Sequence, residues 1–258
     1  MRRSAAVLAA IAVLAAAGPA AAAPDLERWR PGLEAARAYA AQRIGTISFA
    51  VRTPRRLYRS DAQRVYRSAS VVKAMLMVAY LNHESVRGRP LNAADHALLN
   101  PMVRWSDNLA ATRVRELVGN GALERLADRV GMRRFATMPS WGDTQITAAG
   151  QSKLFLRIDR YVVRRHRDTA LRLLGAIVPE QRWGIARVPH PGWRLHFKGG
   201  WGDYGEVDHQ IALLRRGKRR IAVAILSTAF PSHEYGKRTL EGIARRLLHG
   251  LGPRSNPR

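Results

Sequence analysis

The sequence has 258 residues, 47% of them hydrophobic, with 44 lysine and arginine residues against 19 aspartate and glutamate residues and a formal net charge of +25. A chain of this length can bury a substantial core within one domain, which can consist of two lobes. It contains no cysteine, which excludes a disulfide framework and a cysteine-linked lipid anchor.

The first 23 residues have the pattern of an export signal. Arg2 and Arg3 provide a basic start, residues 5–18 form an alanine-rich apolar core too short for a stable membrane span, and residues 20–23 offer small side chains for cleavage. We therefore expect a signal peptide over residues 1–23, and a secreted or cell-wall-associated product that does not span the membrane.

The next segment predicts one helix and two strands. Residues 25–43 place apolar side chains near helical spacing despite Pro31. Residues 46–52 alternate apolar and polar side chains as a strand does, and residues 56–59 predict a second strand after a turn at Thr53 and Pro54.

The segment from Ala69 to Leu81 carries one charge, that of Lys73. A run this apolar predicts a helix buried on all sides. A buried ammonium must be paired or it tends to lose its proton. Ser70 lies three residues earlier and therefore on the same helix face, so the two residues suggest a nucleophile and its base. The alternative is a helix-capping Ser70 and a Lys73 that extends to solvent.

Helical patterns dominate residues 91–182, with breaks at 119–121 and 136–147. Strand character returns at residues 193–198, where Lys198 faces away from the alternating apolar side chains. Gly199 and Gly200 then allow close backbone approach to a ligand, although a strand end or bulge beside a solvated lysine is the alternative interpretation.

The C-terminal part predicts two strands over residues 207–214 and 220–228, joined by a charged turn, and an amphipathic helix over 235–251. The element order predicts a mixed α/β fold. We expect an antiparallel sheet flanked by N- and C-terminal helices, with an all-helical lobe of about residues 71–185 inserted, in a domain of residues 24–251 followed by a disordered tail, 252–258.

Two triplets follow the Ser70-x-x-Lys73 pair in order, Ser106-Asp107-Asn108 and Lys198-Gly199-Gly200. Ser106 could relay a proton from the Ser70–Lys73 pair to a leaving nitrogen. The Asn108 amide could donate to a substrate carbonyl and accept from Lys73. The alternative for the first triplet is a helix N-cap, which is compatible with a catalytic role.

The three motifs together resemble the serine β-lactamase and penicillin-binding protein superfamily, and most closely the class A β-lactamase-like serine hydrolases. The resemblance covers about residues 30–250. It implies that the strand with Lys198 carries the positive charge that meets a substrate carboxylate. It also implies an oxyanion hole formed by the backbone N–H groups of Ser70 and Trp201.

Two departures from the family pattern affect the expected activity. A glycine, Gly199 or Gly200, stands where the third motif usually has a hydroxyl, which removes one donor to a β-lactam carboxylate. Class A β-lactamases also carry a glutamate that activates the deacylating water, whereas residues 138–147 contain Asp143 as their one carboxylate. We therefore expect slow β-lactam turnover.

Other kinds of site find no support in the sequence. It lacks the nucleophile elbow, zinc-protease and phosphate-loop motifs, so we expect neither a metal nor another cofactor. His209 beside Asp208 suggests a structural pair rather than a catalytic dyad, and His166 suggests a solvated face. Trp183, Trp193 and Trp201 are expected to pack in the core or the cleft, with a sugar-stacking platform as the alternative.

The charge would ordinarily suggest nucleic acid as a partner. We do not expect it, because export makes that partner improbable and no arginine-rich run is interleaved with aromatic residues as a single-strand binder requires. Anionic cell-wall polymers or lipid head groups are better candidates, and the alternative is a solvated basic surface without a ligand.

We therefore predict an exported, monomeric serine hydrolase that acts through a Ser70 acyl-enzyme. Its substrate would be a carboxylate-bearing amide or ester, either a small β-lactam-like molecule or a peptidoglycan peptide cleaved as by a D,D-peptidase. The alternative from another class is a non-catalytic cell-wall binding protein that retains the fold.

Overall fold

The computed structural model describes residue 26 and residues 28–251, so the expected signal peptide and C-terminal tail lie outside the described residues. The described chain contains both α-helices and β-strands. The helices are α1 Leu33–Ala41, α2 Lys73–Leu81, α3 Glu84–Arg87, α4 Ala93–Asn100, α5 Asn108–Val130, α6 Ala148–Leu156, α7 Arg167–Gly175 and α8 His233–Leu247. The strands are β1 Thr46–Arg52, β2 Leu57–Ser60, β3 Tyr66–Arg67, β4 Gln145–Ile146, β5 Arg194–Trp201, β6 Val207–Arg216 and β7 Arg219–Thr228.

Five strands form an antiparallel sheet in the order β2-β1-β7-β6-β5. Its inner strands β6 and β7 are buried along most of their length, on both faces. A sheet this apolar must be covered on both sides. Helix α8 packs on β6 and on α1, and helix α6 packs on β1 and β7. The mixed α/β fold with an antiparallel sheet and flanking helices is thus as predicted.

The N-terminal helix begins later than predicted, at Leu33 rather than near residue 25. Gly32 has a non-helical ψ of 65°, and a side chain there would collide with the Arg246 carbonyl of α8 at 2.6 Å. The Trp29 indole donates to the His249 carbonyl at 3.0 Å. Residues 28–32 therefore dock on the end of α8, and the side chains of Trp29 and Pro31 are buried without a helix.

Helix α2 confirms the prediction of a helix buried on all sides, because every residue from Lys73 to Leu81 is buried. Helix α5, which packs on α2, bends where the glycine-rich break was predicted. Gly119 there has φ 69° and ψ 168°, a conformation that costs glycine little.

The segment predicted as an irregular break over residues 136–147 contains a short strand, β4, which pairs with β3. In addition, Ser68 N–H donates to the Thr144 carbonyl at 2.8 Å. These bonds attach the segment to the residues just before Ser70. A two-residue strand is too short to produce a recognisable alternation, which is why the sequence did not predict it.

His166 was expected on a solvated face and is instead buried, with its Nε2 atom 3.2 Å from the Val86 carbonyl. The neighbouring arginines made the segment look uniformly polar, so the sequence gave no sign that the His166 ring faces inward. Among the described residues, no helix is long and apolar enough to cross a membrane.

The hairpin of β6 and β7 is longer than predicted, with a two-residue turn at Gly217 and Lys218. Gly217 has φ 57°, as such a turn requires. Arg220, predicted as the first residue of the last strand after the charged turn, forms a two-pronged ion pair with Asp159 at 2.6 and 2.8 Å. Their side chains are 13% and 10% exposed, so this arginine serves the fold.

Replacing Arg220 by glutamine should therefore destabilise the protein by about 3 kcal/mol, because it leaves a nearly buried carboxylate without its partner. Chemical denaturation followed by circular dichroism measures the change. Arg219→Gln is the matched control on the same hairpin, since Arg219 forms no ion pair within the described residues. Equal stabilities of the two variants would contradict a structural role for Arg220.

Candidate active site

Ser70 lies in a single 3₁₀ turn, Ala69–Val72, which runs directly into α2 at Lys73. Ala69 has φ 43°, a left-handed conformation that is strained for any residue with a side chain. Such strain persists only where the surrounding structure enforces it, and it is concentrated at functional sites. Ser70 is half-buried and Lys73 is fully buried. Solvent and ligands therefore reach the serine, while the lysine is screened.

The Lys73 ammonium position is surrounded by oxygen acceptors. Its Nζ atom donates to the Ser106 carbonyl, to Asn108 Oδ1 at 2.7 Å and to Ser106 Oγ at 3.3 Å. Burial lowers the pKa of Lys73 to about 7, with the nearby charge of Asp107 acting in the opposite direction. A large fraction of this lysine is therefore a neutral amine at physiological pH.

A neutral Lys73 amine can still donate to the acceptors around it. Two N–H groups are enough for the Ser106 carbonyl and Asn108 Oδ1, which can only accept. The amine lone pair is then available to take a proton from a hydroxyl, so Lys73 can act as a base without breaking these two bonds.

Ser106 adopts the left-handed conformation, with φ 61° and ψ 32°, at the end of a turn of π-helix over Pro101–Trp105. The predicted helix cap is present, but Asp107 provides it by accepting from Ala110 N–H at 2.7 Å. The Ser106 side chain is thereby freed from capping and points to the two lysines. This arrangement allows the capping and chemical functions of the triplet to coexist.

Lys198 is fully buried on β5, and its Nζ atom donates to Ser106 Oγ at 2.9 Å and to the Gly199 carbonyl at 2.9 Å. The Ser106 hydroxyl thus joins the two lysines. Burial lowers the pKa of Lys198 well below its usual value, and the neighbouring charge of Lys73 lowers it further. A full positive charge on both lysines is therefore disfavoured in the free protein.

The two glycines after Lys198 lie in an unbroken strand, opposite Gln210 and His209 of β6, and not in a bulge. A side chain on Gly200 would lie 2.7 Å from the Ser70 backbone nitrogen, so only glycine lets β5 approach the Ser70 turn. This close approach brings the backbone of β5 against Ser70, as the glycine pair in the sequence suggested.

A cavity of about 200 Å³ adjoins Ser70. Its walls come from the Ser70 turn, the start of α5, the residues around Trp141 and the end of β5. The lining residues include Arg67, Ser70, Asn108, Trp141, Asp143 and Trp201. Lys73, Ser106 and Lys198 are therefore hydrogen-bonded together next to a cavity that Ser70 and Asn108 line, while the Ser70 hydroxyl makes no hydrogen bond to them in the described chain.

Two features of this cavity were not predicted. The ring of Trp141 lies over the Lys73 ammonium position, with its centroid 4.6 Å from Nζ. Arg67 forms ion pairs with Asp143 at 3.3 Å and with Glu206 at 2.9 Å. Both depend on the unpredicted pairing of β3 with β4, so no local sequence signal would have identified them.

His209 does not belong to the cluster formed by Lys73, Ser106 and Lys198. It is buried, its Nδ1 atom accepts from the Ser227 N–H at 3.1 Å, and its Nε2 atom lies 2.8 Å from the Arg67 carbonyl. Its burial and its bonds to backbone groups fit the predicted structural role, but the predicted pairing with Asp208 is wrong, since Asp208 contacts His233 instead. Among the described residues, no group of His, Cys, Asp and Glu side chains could hold a metal ion.

A family model described as the beta-lactamase enzyme family matches residues 95–251, more than half of the chain. The match includes the Ser106 and Lys198 motifs and begins after Ser70. The comparison with curated proteins gives no significant match.

Solved structures similar to this chain include a β-lactamase from Sphaerobacter thermophilus DSM 20745, with 21% identity and a TM-score of 0.74 over 85% of this chain and 97% of that one. A class A β-lactamase from Mycobacterium abscessus has 19% identity and a TM-score of 0.70, over 85% and 99% of the two chains. A protein named PBP-A has 14% identity and a TM-score of 0.70, over 83% and 93%. At these identities the likeness establishes the fold.

Proposed function

This chain belongs to the beta-lactamase enzyme family, and from that premise we propose that it is a serine hydrolase that forms an acyl-enzyme on Ser70. One observation carries the proposal. A buried lysine with a pKa of about 7, a second buried lysine and a shared hydroxyl lie together beside a serine that faces a cavity. This is the set of groups that acyl transfer requires.

Acylation begins when the neutral Lys73 amine takes the proton of the Ser70 hydroxyl. The Ser70 oxygen then forms a bond to the substrate carbonyl carbon, whose oxygen becomes an oxyanion held by the backbone N–H groups of Ser70 and Trp201. Collapse of this intermediate breaks the bond to the leaving group. Ser106 gives its proton to the departing nitrogen or oxygen and recovers one from Lys73, which returns to the neutral amine.

The substrate we propose is an amide or ester with a carboxylate near the scissile bond, such as a β-lactam or a cell-wall peptide. Asn108 is exposed at the cavity edge and can donate from its amide while Oδ1 accepts from Lys73. Lys198 lies beneath Ser106 rather than on the cavity wall. Its positive charge would therefore attract a substrate carboxylate at the edge of the buried cluster. Gly199 and Gly200 would let the ligand lie close to the backbone of β5.

Intact-protein mass spectrometry after exposure to several acyl probes tests this proposal. A β-lactam, an activated ester and a fluorophosphonate should each add one equivalent of covalent mass to the protein, and peptide mapping should locate it on Ser70. Reversible binding to cell-wall material with no adduct from any probe would instead support the non-catalytic binding protein.

We expect β-lactam turnover to be slow, with the acyl-enzyme accumulating. The loop beside the cavity offers no glutamate, and its one carboxylate, Asp143, is held by Arg67 at 3.3 Å. Stopped-flow measurement with a chromogenic cephalosporin should show a burst of about one equivalent followed by a slow steady state. A fast steady state without a burst would contradict this, and Asp143→Asn would then show whether Asp143 is the base.

A gain-of-function variant tests the same explanation directly. A side chain on Gly142 would meet nothing closer than Ser140 Oγ at 3.8 Å, and Gly142 lines the Ser70 cavity. Gly142→Glu should therefore place a carboxylate near the acyl group and raise the deacylation rate, by up to about a hundredfold if the new base is well positioned. Gly142→Gln is the matched control.

We also propose that the domain acts outside the cytoplasm as a secreted or cell-wall-associated monomer, on the basis of the signal-like residues 1–23. Anionic wall polymers are candidate partners for its net charge of +25. Fractionation of cells that express the full chain, with N-terminal sequencing of the product, tests the export. Salt-dependent retention on isolated cell wall tests the partner, because retention through exposed charges must fall as salt rises.

A further inference from the structure

We infer that Trp201, His233 and Asp208 form an anchor that fixes the end of β5, and that this anchor positions the Trp201 backbone N–H as an oxyanion donor. The inference rests on the proposed acyl transfer at Ser70. It assigns a positioning role to two residues that the mechanism above does not use, His233 and Asp208.

Strand β5 is an edge strand, paired in the described part of the chain with β6 alone, and its end has few side chains of its own to fix it further. Gly199 and Gly200 offer none, and Lys198 points into the buried cluster. Trp201 is therefore the first side chain after Lys198 that can hold the strand. Strand alternation places it on the face of Gly199, opposite Lys198 and Gly200. The side chains of the anchor thus extend from the face of the sheet opposite the Ser70 turn, although Trp201 also lines the Ser70 cavity at the end of the strand.

Aromatic rings surround the Trp201 indole on that face. The His233 ring lies nearly parallel to it, at 24° with centroids 5.7 Å apart. The Trp183 ring is edge-on to both, 6.0 Å from Trp201 and 5.3 Å from His233. A side chain on Gly199 would lie 3.3 Å from the Trp183 ring, so this ring also covers the strand at Gly199. Offset and edge-to-face geometries are favourable for aromatic rings, and together they restrict the rotation of the indole.

Asp208 fixes the histidine of this cluster. It is fully buried, and its Oδ1 atom lies 2.5 Å from His233 Nδ1. Asp208 is also the residue of β6 directly opposite Trp201, so the carboxylate and the indole belong to neighbouring backbone positions. A side chain on Gly236 of α8 would lie 2.0 Å from Asp208 Oδ2. Only glycine at this position therefore leaves room for the Asp208 carboxylate.

Burying the Asp208 carboxylate costs stability, which indicates that it does more than fill space in the core. Burial raises the pKa of Asp208, against the opposing effect of His233, and its Oδ2 atom has no hydrogen-bond partner within the described residues. A buried carboxylate with an unpaired oxygen is costly for stability. The Asp208 carboxylate therefore holds His233, and through it Trp201, even though its burial lowers the stability of the protein.

Loss of the anchor should affect the oxyanion intermediate more than substrate binding. Removal of an oxyanion donor lowers the rate by about 10²–10³-fold. A displaced donor should cost less, so we expect about a tenfold to hundredfold decrease in the acylation rate constant for Trp201→Ala and for His233→Ala. For His233→Ala, whose side chain does not line the Ser70 cavity, the dissociation constant of the initial complex should change by less than threefold.

Stopped-flow acylation with a slowly released β-lactam separates these two quantities, and a boronic acid that forms a tetrahedral adduct on Ser70 reports the oxyanion site independently. Trp201→Phe should recover most of the acylation rate, because phenylalanine can still stack on His233. His83→Ala is the matched control, since His83 bonds Ser85 in the helical part of the chain, away from β5. Thermal unfolding monitors the stability of every variant.

The inference is supported if the alanine variants lose acylation rate and boronate affinity together while the phenylalanine variant recovers both. It is overturned if Trp201→Ala acylates as fast as the wild type, or if binding falls in proportion to acylation. A wild-type protein that forms no adduct at Ser70 would overturn the proposed function, and this inference with it. A normal wild-type adduct with unaffected anchor variants would overturn the inference alone.

Discussion

Replacing Ser70 by alanine should give a folded protein that no acyl probe labels. Ser70 is the hydroxyl of the motif that faces the cavity, and its neighbour Lys73 is a base whose pKa is lowered to about 7 by burial. Removing the hydroxyl removes the atom that would form the covalent bond, so the loss of labelling should be complete. Intact-protein mass spectrometry measures it.

The fold should survive this substitution. Within the described part of the chain the Ser70 hydroxyl makes no hydrogen bond to protein, and the side chain is only half-buried. Thermal unfolding should therefore change by no more than a few degrees. Ser140→Ala, in an exposed serine of the loop beside the same cavity, is the control and should keep full labelling. Labelling of Ser70→Ala at an unchanged rate would show that another residue is the nucleophile.

Local patterns along the chain were enough to predict most of the fold. Strand β1 has the predicted bounds, and α2 is buried on all sides as its uninterrupted apolar run indicated. These signals depend on neighbouring residues alone. The late start of α1 was missed because it depends on the contact of Gly32 with Arg246, more than 200 positions away.

The candidate site was predictable in its members and not in its connections. The three motifs identified Ser70, Lys73, Ser106 and Lys198. The structure joins Lys73 and Lys198 through Ser106 and places Ser70 on the adjoining cavity. The sequence did not indicate that Ser106 Oγ lies between the two lysines, because that contact joins α2, β5 and the turn before α5.

The anchor behind Trp201 could not be predicted either. The sequence suggested Asp208 and His209 as partners because they are adjacent, but adjacent strand residues point to opposite faces. Asp208 therefore meets His233 of α8, while His209 faces the residues before Ser70. Strand alternation excludes the nearer partner, and only the packing of α8 on β6 supplies the one that is found.

Replacing Lys73 by methionine should lower the acylation rate constant by about 10²–10⁴-fold, the usual contribution of a positioned general base. The Ser70 hydroxyl would then have no amine to take its proton. Initial binding should change far less, because Lys73 is buried beneath Ser106 and does not line the cavity. Stopped-flow acylation at several probe concentrations separates the two constants.

The pH dependence gives this prediction a second, independent test. Burial lowers the pKa of Lys73 to about 7, so the lysine is a protonated ammonium below that pH and a free amine above it. Only the amine can accept a proton. The acylation rate of the wild type should therefore rise as the pH increases through about 7 and level off above it, whereas the residual rate of Lys73→Met should lack this rise.

Lys153→Met, in an exposed lysine of α6 that bonds the Gly131 carbonyl, is the control and should retain the wild-type profile. A Lys73→Met variant that loses binding but keeps both the rate and its rise with pH would show that Lys73 holds the substrate and is not the base.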